Sequence, residues 1–352
     1  MIRCPDPRYP IVHTLAQLLV RRMSFALLLA SAALAVLPGV SRAQEAALRF
    51  GVLPLGGALE SRQDWKPLLD DMGASVSRPV VALSFTSYEG LRLAMQENRV
   101  DLAFVSGKLA LEAVLQYCMV VLNQVVRPDG LPGYRSVLIV RKDGPIQTLD
   151  DVLNQPGKWR LGMGETQSMS GYVIPQLQLF APRGIAIERH FPSELVDGHQ
   201  GTALAVANGD VDVATNNTAD LDRFRTHFPQ EAARLKIIWE SDLIPHGAIV
   251  MQRGFPDAMR DKVRAFLSGY GHGTGARADT ERVVLSRLHG LAGFPTADNR
   301  MLLQVLRLEY QLSQRQALQG QWVSEQARQS RLARLAAEYE DQRQRLAVAP
   351  AP

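Results

Sequence analysis

The order of apolar segments limits the folds open to this chain more than any other feature. From Leu48 onward, strand-like and helix-like stretches alternate. Residues 48–53, 80–85 and 100–105 read as strands, and 65–72, 91–97 and 109–115 as helices. In the first helix Trp65, Leu68, Leu69 and Met72 share one face, the spacing of a buried stripe. This βαβα order predicts an α/β fold, a largely parallel sheet with helices on both faces. The long apolar strand at 134–142 is suited to crossing between two lobes, and 149–153 is a short helix. Residues 236–241 and 249–251 read as return strands. From Met259 the chain is helical, broken by the glycines near 271–275. Residues 316–346 read as one or two exposed amphipathic helices.

A quiet repeat runs through the pattern. Helix 91–97 leads into Val100-Asp101-Leu102-Ala103, and helix 202–207 into Val211-Asp212-Val213-Ala214. Each unit is a helix, a polar turn and a strand, which points to two lobes of similar build. Ligands of open α/β sheets bind beyond the carboxyl ends of the strands. Those ends are 104–107 and the unusually polar Thr215-Asn216-Asn217-Thr218.

Between them lies the stretch 162–175, in which Ser168-Met169-Ser170-Gly171 follows a strand and precedes an apolar helical pattern. The first amides of a helix lack internal partners, and the macrodipole adds partial positive charge there. Two serine hydroxyls beside such amides make a neutral anion cradle. Pro175 fits a first helical turn, where its missing N–H is not needed. An ordinary Ser-capped helix would look the same on these residues alone. The third glycine of a dinucleotide fingerprint is missing, as is the Gly-Lys-Ser/Thr of a P-loop.

The start of the chain reads as a leader. Arg21 and Arg22 precede an apolar run over 25–37 and a small-x-small site ending at Ala43. Residues 1–43 are therefore expected to be a cleaved signal peptide, with Met23 the true initiator and the periplasm the destination. The apolar run is too short to span a membrane. The sequence pI of ≈ 9.2 belongs mostly to this segment. It holds the arginines at 3, 8, 21, 22 and 42 against Asp6, and the remainder balances basic and acidic side chains. No nucleic-acid partner is expected. Cys4 leaves with the leader, so Cys118, in an apolar run, is expected to be a buried inert thiol.

Taken together, collinear blocks over 65–72, 100–103, 132–140, 168–175, 203–218 and 238–245, with Tyr88 and His199, carry a resemblance. The chain resembles the phosphonate-binding periplasmic proteins of phosphonate ABC transporters, and the match spans essentially the whole mature sequence. The resemblance implies a two-lobed type II periplasmic binding protein with two hinge-crossing segments, near 136–142 and 244–251, and C-terminal helices. Lobe 1 would comprise 44–137 plus 249–352, and lobe 2 138–248. It further implies a small phosphorus oxyanion as ligand, the membrane subunits of an ABC permease as partners, and a homodimer. No cofactor, metal or catalytic residue is implied. Ligand-binding positions carried over are Tyr88, Tyr134, Ser168, Met169, Ser170, His199 and Thr218. Met169 stands where the family has threonine, so a hydroxyl is lost and the backbone N–H is kept.

Two family carboxylates that grip a ligand ammonium are replaced by Ala219 and Gly247. Asp220 is adjacent, but a neighbouring residue normally points elsewhere. The tract 54–57 replaces a polar run and makes that wall less polar. His246 and His272 read as surface or loop residues. Two other readings stay open on the residues: an input domain feeding a partner kinase, and an α/β hydrolase or transferase. The second lacks a Gly-x-Ser-x-Gly elbow, and no two of the mature histidines have metal-ligand spacing.

Overall fold

The computed structural model describes residues 46–53, 58–288 and 290–348. The leader at 1–43 and the tract 54–57 lie outside the described residues. Ten strands form two five-stranded sheets. They are β1 (Leu48–Val52), β2 (Val80–Ser84), β3 (Leu102–Val105), β4 (Met119–Gln124), β5 (Gly133–Arg141), β6 (Leu161–Met163), β7 (Glu194–Val196), β8 (Val213–Asn217), β9 (Leu235–Pro245) and β10 (Ala248–Gln252). The first sheet has the order β2-β1-β3-β10-β4 and the second β7-β6-β8-β5-β9. In each, three strands are parallel and the fourth and fifth run antiparallel to their neighbours.

The chain passes from the first sheet to the second through residues 125–132 and returns through His246 and Gly247. Because β5 lies wholly in the second sheet, the first passage comes before 136–142. An apolar strand long enough to cross is also what a doubly covered central strand requires. Alternate β5 residues serve opposite faces: Leu138 and Val140 join one apolar cluster, and Val137 and Ile139 another. In the first sheet the expected stripe holds. Trp65, Leu68, Leu69 and Met72 are buried on the Ala58–Val76 helix, and Trp65 sits between Phe50 and Phe104 at 5.1 and 5.2 Å.

The repeat is deeper than its sequence. Asp101 accepts from the Arg49 backbone N–H, Nε and Nη2 at 2.8, 3.0 and 2.7 Å. Asp212 accepts from the same three groups of Arg160 at 2.8, 3.0 and 2.9 Å. Each guanidinium also donates to the turn before its partner strand, at Asn98 and Gly209 respectively. An Arg-x-Gly at β1 and again at β6 thus answers the Val-Asp-x-Ala at β3 and at β8. The fork geometry suits two donors on one carboxylate.

The C-terminal helices are Leu303–Gln319 and Glu325–Ala347, stacked through Tyr310 and Tyr339 at 4.5 Å. Leu346 is fully buried in the first lobe's core and Arg345 donates to the Leu115 carbonyl. Gln319 reaches across to the Ala181 carbonyl at 2.6 Å. Cys118 departs from expectation in its burial: it is only half-buried. No helix among the described residues is long and apolar enough to cross a membrane.

Asp101 is the more buried of the two repeated carboxylates, with 7% exposure against 25% for Asp212. Hydrogen bonds to a charged group contribute about 1.5–3 kcal/mol. Asp101→Ala should therefore lower unfolding free energy by about that amount, and Asp212→Ala by less. Urea titrations of the two variants give the comparison.

Candidate ligand-binding site

A cavity of ≈ 70 Å³ lies between the two sheets, at the strand ends. At roughly 10–15 Å³ per water-sized sphere, this is room for a few waters or one compact ion. Its wall is built largely from the beginnings of helices. Tyr88 opens Tyr88–Gln96, Ser106 caps Gly107–Gln116, and His199 opens His199–Asn208. Asn217 caps Thr218–His227, and Ser168 caps the segment beginning at Met169. Five helix starts therefore face one small space and bring partial positive charge to it, although at the Tyr88 start the first amides are already taken by Glu165 and Ser87.

Two contacts brace the Ser168 turn. Ser136 Oγ donates to the Ser170 carbonyl at 2.6 Å, and Thr215 Oγ1 to the Gly171 carbonyl at 2.8 Å. Gly164 and Gly171 lie against each other. A Cβ on Gly171 would meet the Gly164 Cα at 2.7 Å, so neither position has room for a side chain. The helix that follows is not an ordinary one. Over Met169–Val173 and Pro175–Phe180 it winds in wide π turns, with the Ile174 N–H donating to the Met169 carbonyl. Pro175 lies inside this run rather than in its first turn. Its missing N–H is absorbed by the wider winding, as at π-bulges near functional sites.

Ser170 is the centre of the polar network. Its Oγ is 3.1 Å from His199 Nε2 and accepts from Asn217 Nδ2 at 3.2 Å. His199 Nδ1 has no hydrogen-bond partner among the described residues. Placing the ring proton on Nε2 puts that N–H in a hydrogen bond and leaves the serine's own hydrogen to point outward. Tyr134 lies beside Ser170, and Tyr88 beside Ser168, in the same wall. Burial, ahead of any charge, pushes both phenols well above the ordinary tyrosine value, so both remain protonated donors. Burial likewise lowers His199 below the ordinary histidine value, against the pull of Asp220, and the ring is neutral.

Six of the seven expected positions meet in this wall: Tyr88, Tyr134, Ser168, Met169, Ser170 and His199. Thr218 does not. Its hydroxyl accepts the Arg135 N–H at 3.1 Å, and Asn217, one residue earlier, faces the cavity instead. Asp220 was expected to point elsewhere, yet it lines the cavity at 14% side-chain exposure. It is the third residue of its helix, where the first turn folds back towards the cap. His246, read as a surface residue, is buried at 4% exposure and stacks on Tyr134 at 5.8 Å. Arg127, on the first passage between the sheets, was not anticipated and also lines the cavity. Gly247 packs closely: a Cβ there would meet the Val105 carbonyl at 2.5 Å. A carboxylate cannot be restored at this position without moving the backbone.

Contacts between the lobes surround the cavity. Glu165 accepts the backbone N–H groups of Tyr88 and Glu89 at 2.8 and 3.2 Å. Ser106 Oγ donates to the Gln167 carbonyl, and Arg223 pairs with Asp64 at 2.9 Å.

Two similar α/β lobes with a cavity between them, largely apolar but with polar groups gathered about Ser168, Ser170 and Asn217, define a two-lobed solute-binding protein of the type II periplasmic class. The chain belongs to the family described as "ABC transporter, phosphonate, periplasmic substrate-binding protein", whose model matches residues 50–302. It is 37% identical over 271 residues to the phosphonates-binding periplasmic protein of Escherichia coli K12, covering 77% of this chain and 78% of that one. The crystal structure of a binding-protein component of an ABC phosphonate transporter from Pseudomonas aeruginosa superposes with a TM-score of 0.80 at 31% identity. That match covers 86% of this chain and 98% of the other. A Prochlorococcus marinus protein solved with methylphosphonate shares the fold, with a TM-score of 0.65 at 17% identity over 76% of this chain and 98% of that one.

Gly171→Ala should force the Ser168 turn away from Gly164. Overpacking of this kind costs about 1–3 kcal/mol, and guanidinium unfolding of the variant measures it.

Proposed function

We propose that this chain is an exported receptor that closes on a small phosphorus oxyanion and delivers it to the membrane subunits of an ABC importer. The observation that carries the reading is the convergence of five helix starts, four of them capped by Ser or Asn, on one compact cavity. Such helix starts supply amide donors that do not titrate. Ser168, Ser170 and the Met169 N–H hold the oxygens, with Tyr88, Tyr134 and His199 completing the shell. Asn217 takes the place expected for Thr218. We read the chain as a binder rather than an enzyme, with neither cofactor nor metal in its task. Export uses the signal at 1–43, cleaved near Ala43.

The lobes are read as 46–132 with 248–348, and 133–247. They close as a hinge about the two passages. The Glu165 carboxylate, reaching the start of the Tyr88–Gln96 helix, acts as a latch across the cleft.

A ligand that binds only the folded state raises apparent stability by RT ln(1+[L]/Kd). A thermal-shift screen of the mature protein should therefore respond to methylphosphonate, phosphite or phosphate. No response to any of them would remove the reading. Ser168→Ala and Ser170→Ala should each weaken binding roughly ten- to a hundredfold, with little change in folding. Unaltered affinity in the double variant would place the anion elsewhere.

A further inference from the structure

Asp220 puts a negative charge at the cradle of an anion site. Its Oδ2 accepts from Asn217 Nδ2 at 2.7 Å and lies 3.9 Å from His199 Nε2. Both of those groups contact Ser170 Oγ, so the carboxylate shares the oxygen-binding corner of the cavity. Capping the helix does not require it, since Asn217 Oδ1 already takes the Asp220 N–H at 2.8 Å. The groups around it do not turn it into an ion pair at contact distance. His199, from the neighbouring helix, is kept neutral by burial. Tyr88, from the first lobe, and Tyr134, from β5, are neutral phenols. Glu165 adds a further carboxylate beside Tyr88, and from the passages between the sheets the cavity also meets His246, lowered by burial, and Arg127, which pairs with Asp222 at 3.7 Å. On its own helix, Arg223 pairs with Asp64, and the exposed His227 ring bonds to the Arg223 carbonyl.

A carboxylate and an anion in one desolvated corner repel each other unless a proton lies between them. With that proton on a ligand oxygen, the repulsion becomes a short, charge-assisted O–H···O hydrogen bond. We propose that Asp220 accepts the acid proton of the bound anion. The site then takes phosphorus oxyanions that retain one ionisable proton and rejects anions of equal size that carry none, such as alkylsulfonates. This rests on the phosphorus-oxyanion reading given above. The linkage of Asp220 to Ser170 and His199 favours it over a grip on a ligand ammonium. Gly247, at the other carboxylate position, packs on Val105 and Phe104 instead.

The test is calorimetry of the wild-type mature protein with methylphosphonate and methanesulfonate from about pH 6 to about pH 9, a window that spans the second ionisation of the phosphonate. Phosphorus oxyacids lose their second proton near neutrality, at about pH 6 for phosphate monoesters. Above that ionisation the methylphosphonate affinity should fall by roughly tenfold per pH unit, because only the protonated fraction binds. At high pH, binding should take up close to one proton, seen as a dependence of the heat on buffer ionisation enthalpy. Methanesulfonate should bind roughly a hundredfold more weakly at the acid end. Asp220→Asn, of the same shape, should flatten the profile and narrow that gap by roughly tenfold.

Tight methylphosphonate binding with a flat wild-type profile and no proton uptake would overturn the inference while leaving the oxyanion site intact. Equal binding of the sulfonate would do the same. So would a preference for 2-aminoethylphosphonate over methylphosphonate that disappears in Asp220→Asn, since Asp220 would then grip the ammonium. If no phosphorus oxyanion binds at any pH, the function reading fails and the inference falls with it.

Discussion

Unpaired amides at helix starts are the resource from which this cavity is made. A helix leaves its first four N–H groups without internal partners, and the cell's water or a bound group must satisfy them. Here the sheets aim several of these starts at one point. The parallel strands β1, β3, β6 and β8 all end on that side, and the helices begin where the strands stop. Side chains of Ser87, Ser106, Ser168 and Asn217 each take one amide of their own helix. At the Ser106, Ser168 and Asn217 starts this leaves others open while keeping the helix start well formed, whereas at the Ser87 start Glu165 takes the next two amides. The arrangement offers an anion many weak donors spread around it, a field of dipoles already in position.

Rigidity at the Ser168 turn follows from contacts that have nothing to do with a ligand. The Gly164–Gly171 approach lets two backbone segments touch, and hydroxyls from β5 and β8 hold the turn's carbonyls. Further out, the Arg49–Asp101 and Arg160–Asp212 clasps tie β1 to β3 and β6 to β8. Both clasps sit at the end of the sheet away from the cavity, at the turns before β3 and β8. The cradle therefore rests on two frames built to one plan.

Much of this was legible beforehand because it depends on period. Alternating apolar runs gave the strands, the Trp65 stripe gave a helix face, and the Val-Asp-x-Ala units gave the duplication. What the sequence hid depends on direction. Asp220 lies next to a position that matters in the family, and adjacency alone said it should point away. Its place in the first turn of a helix, with Asn217 as cap, is what swings it inward. His246 looked like a loop residue because the passage between lobes is only two residues long and leaves no apolar pattern. The β5 strand was read as a crossing because an apolar run buried on both faces and a run spanning two lobes look alike in one dimension. The wide winding after Met169 leaves no trace in residue spacing apart from Pro175, which was itself read as a first-turn proline.

The Glu165 contact has a kinetic side. It joins the lobes using protein groups alone, a carboxylate on one and two amides on the other. Any bond that favours the shut form raises the fraction of molecules competent to hold the solute, and so tightens apparent affinity without touching it. The same bond must break before the cargo can leave. On the proposed reading, a receptor that hands its load to a membrane partner would be tuned by a residue off the cavity wall, trading capture against delivery. Strengthening that carboxylate's grip would make a better scavenger and a slower courier.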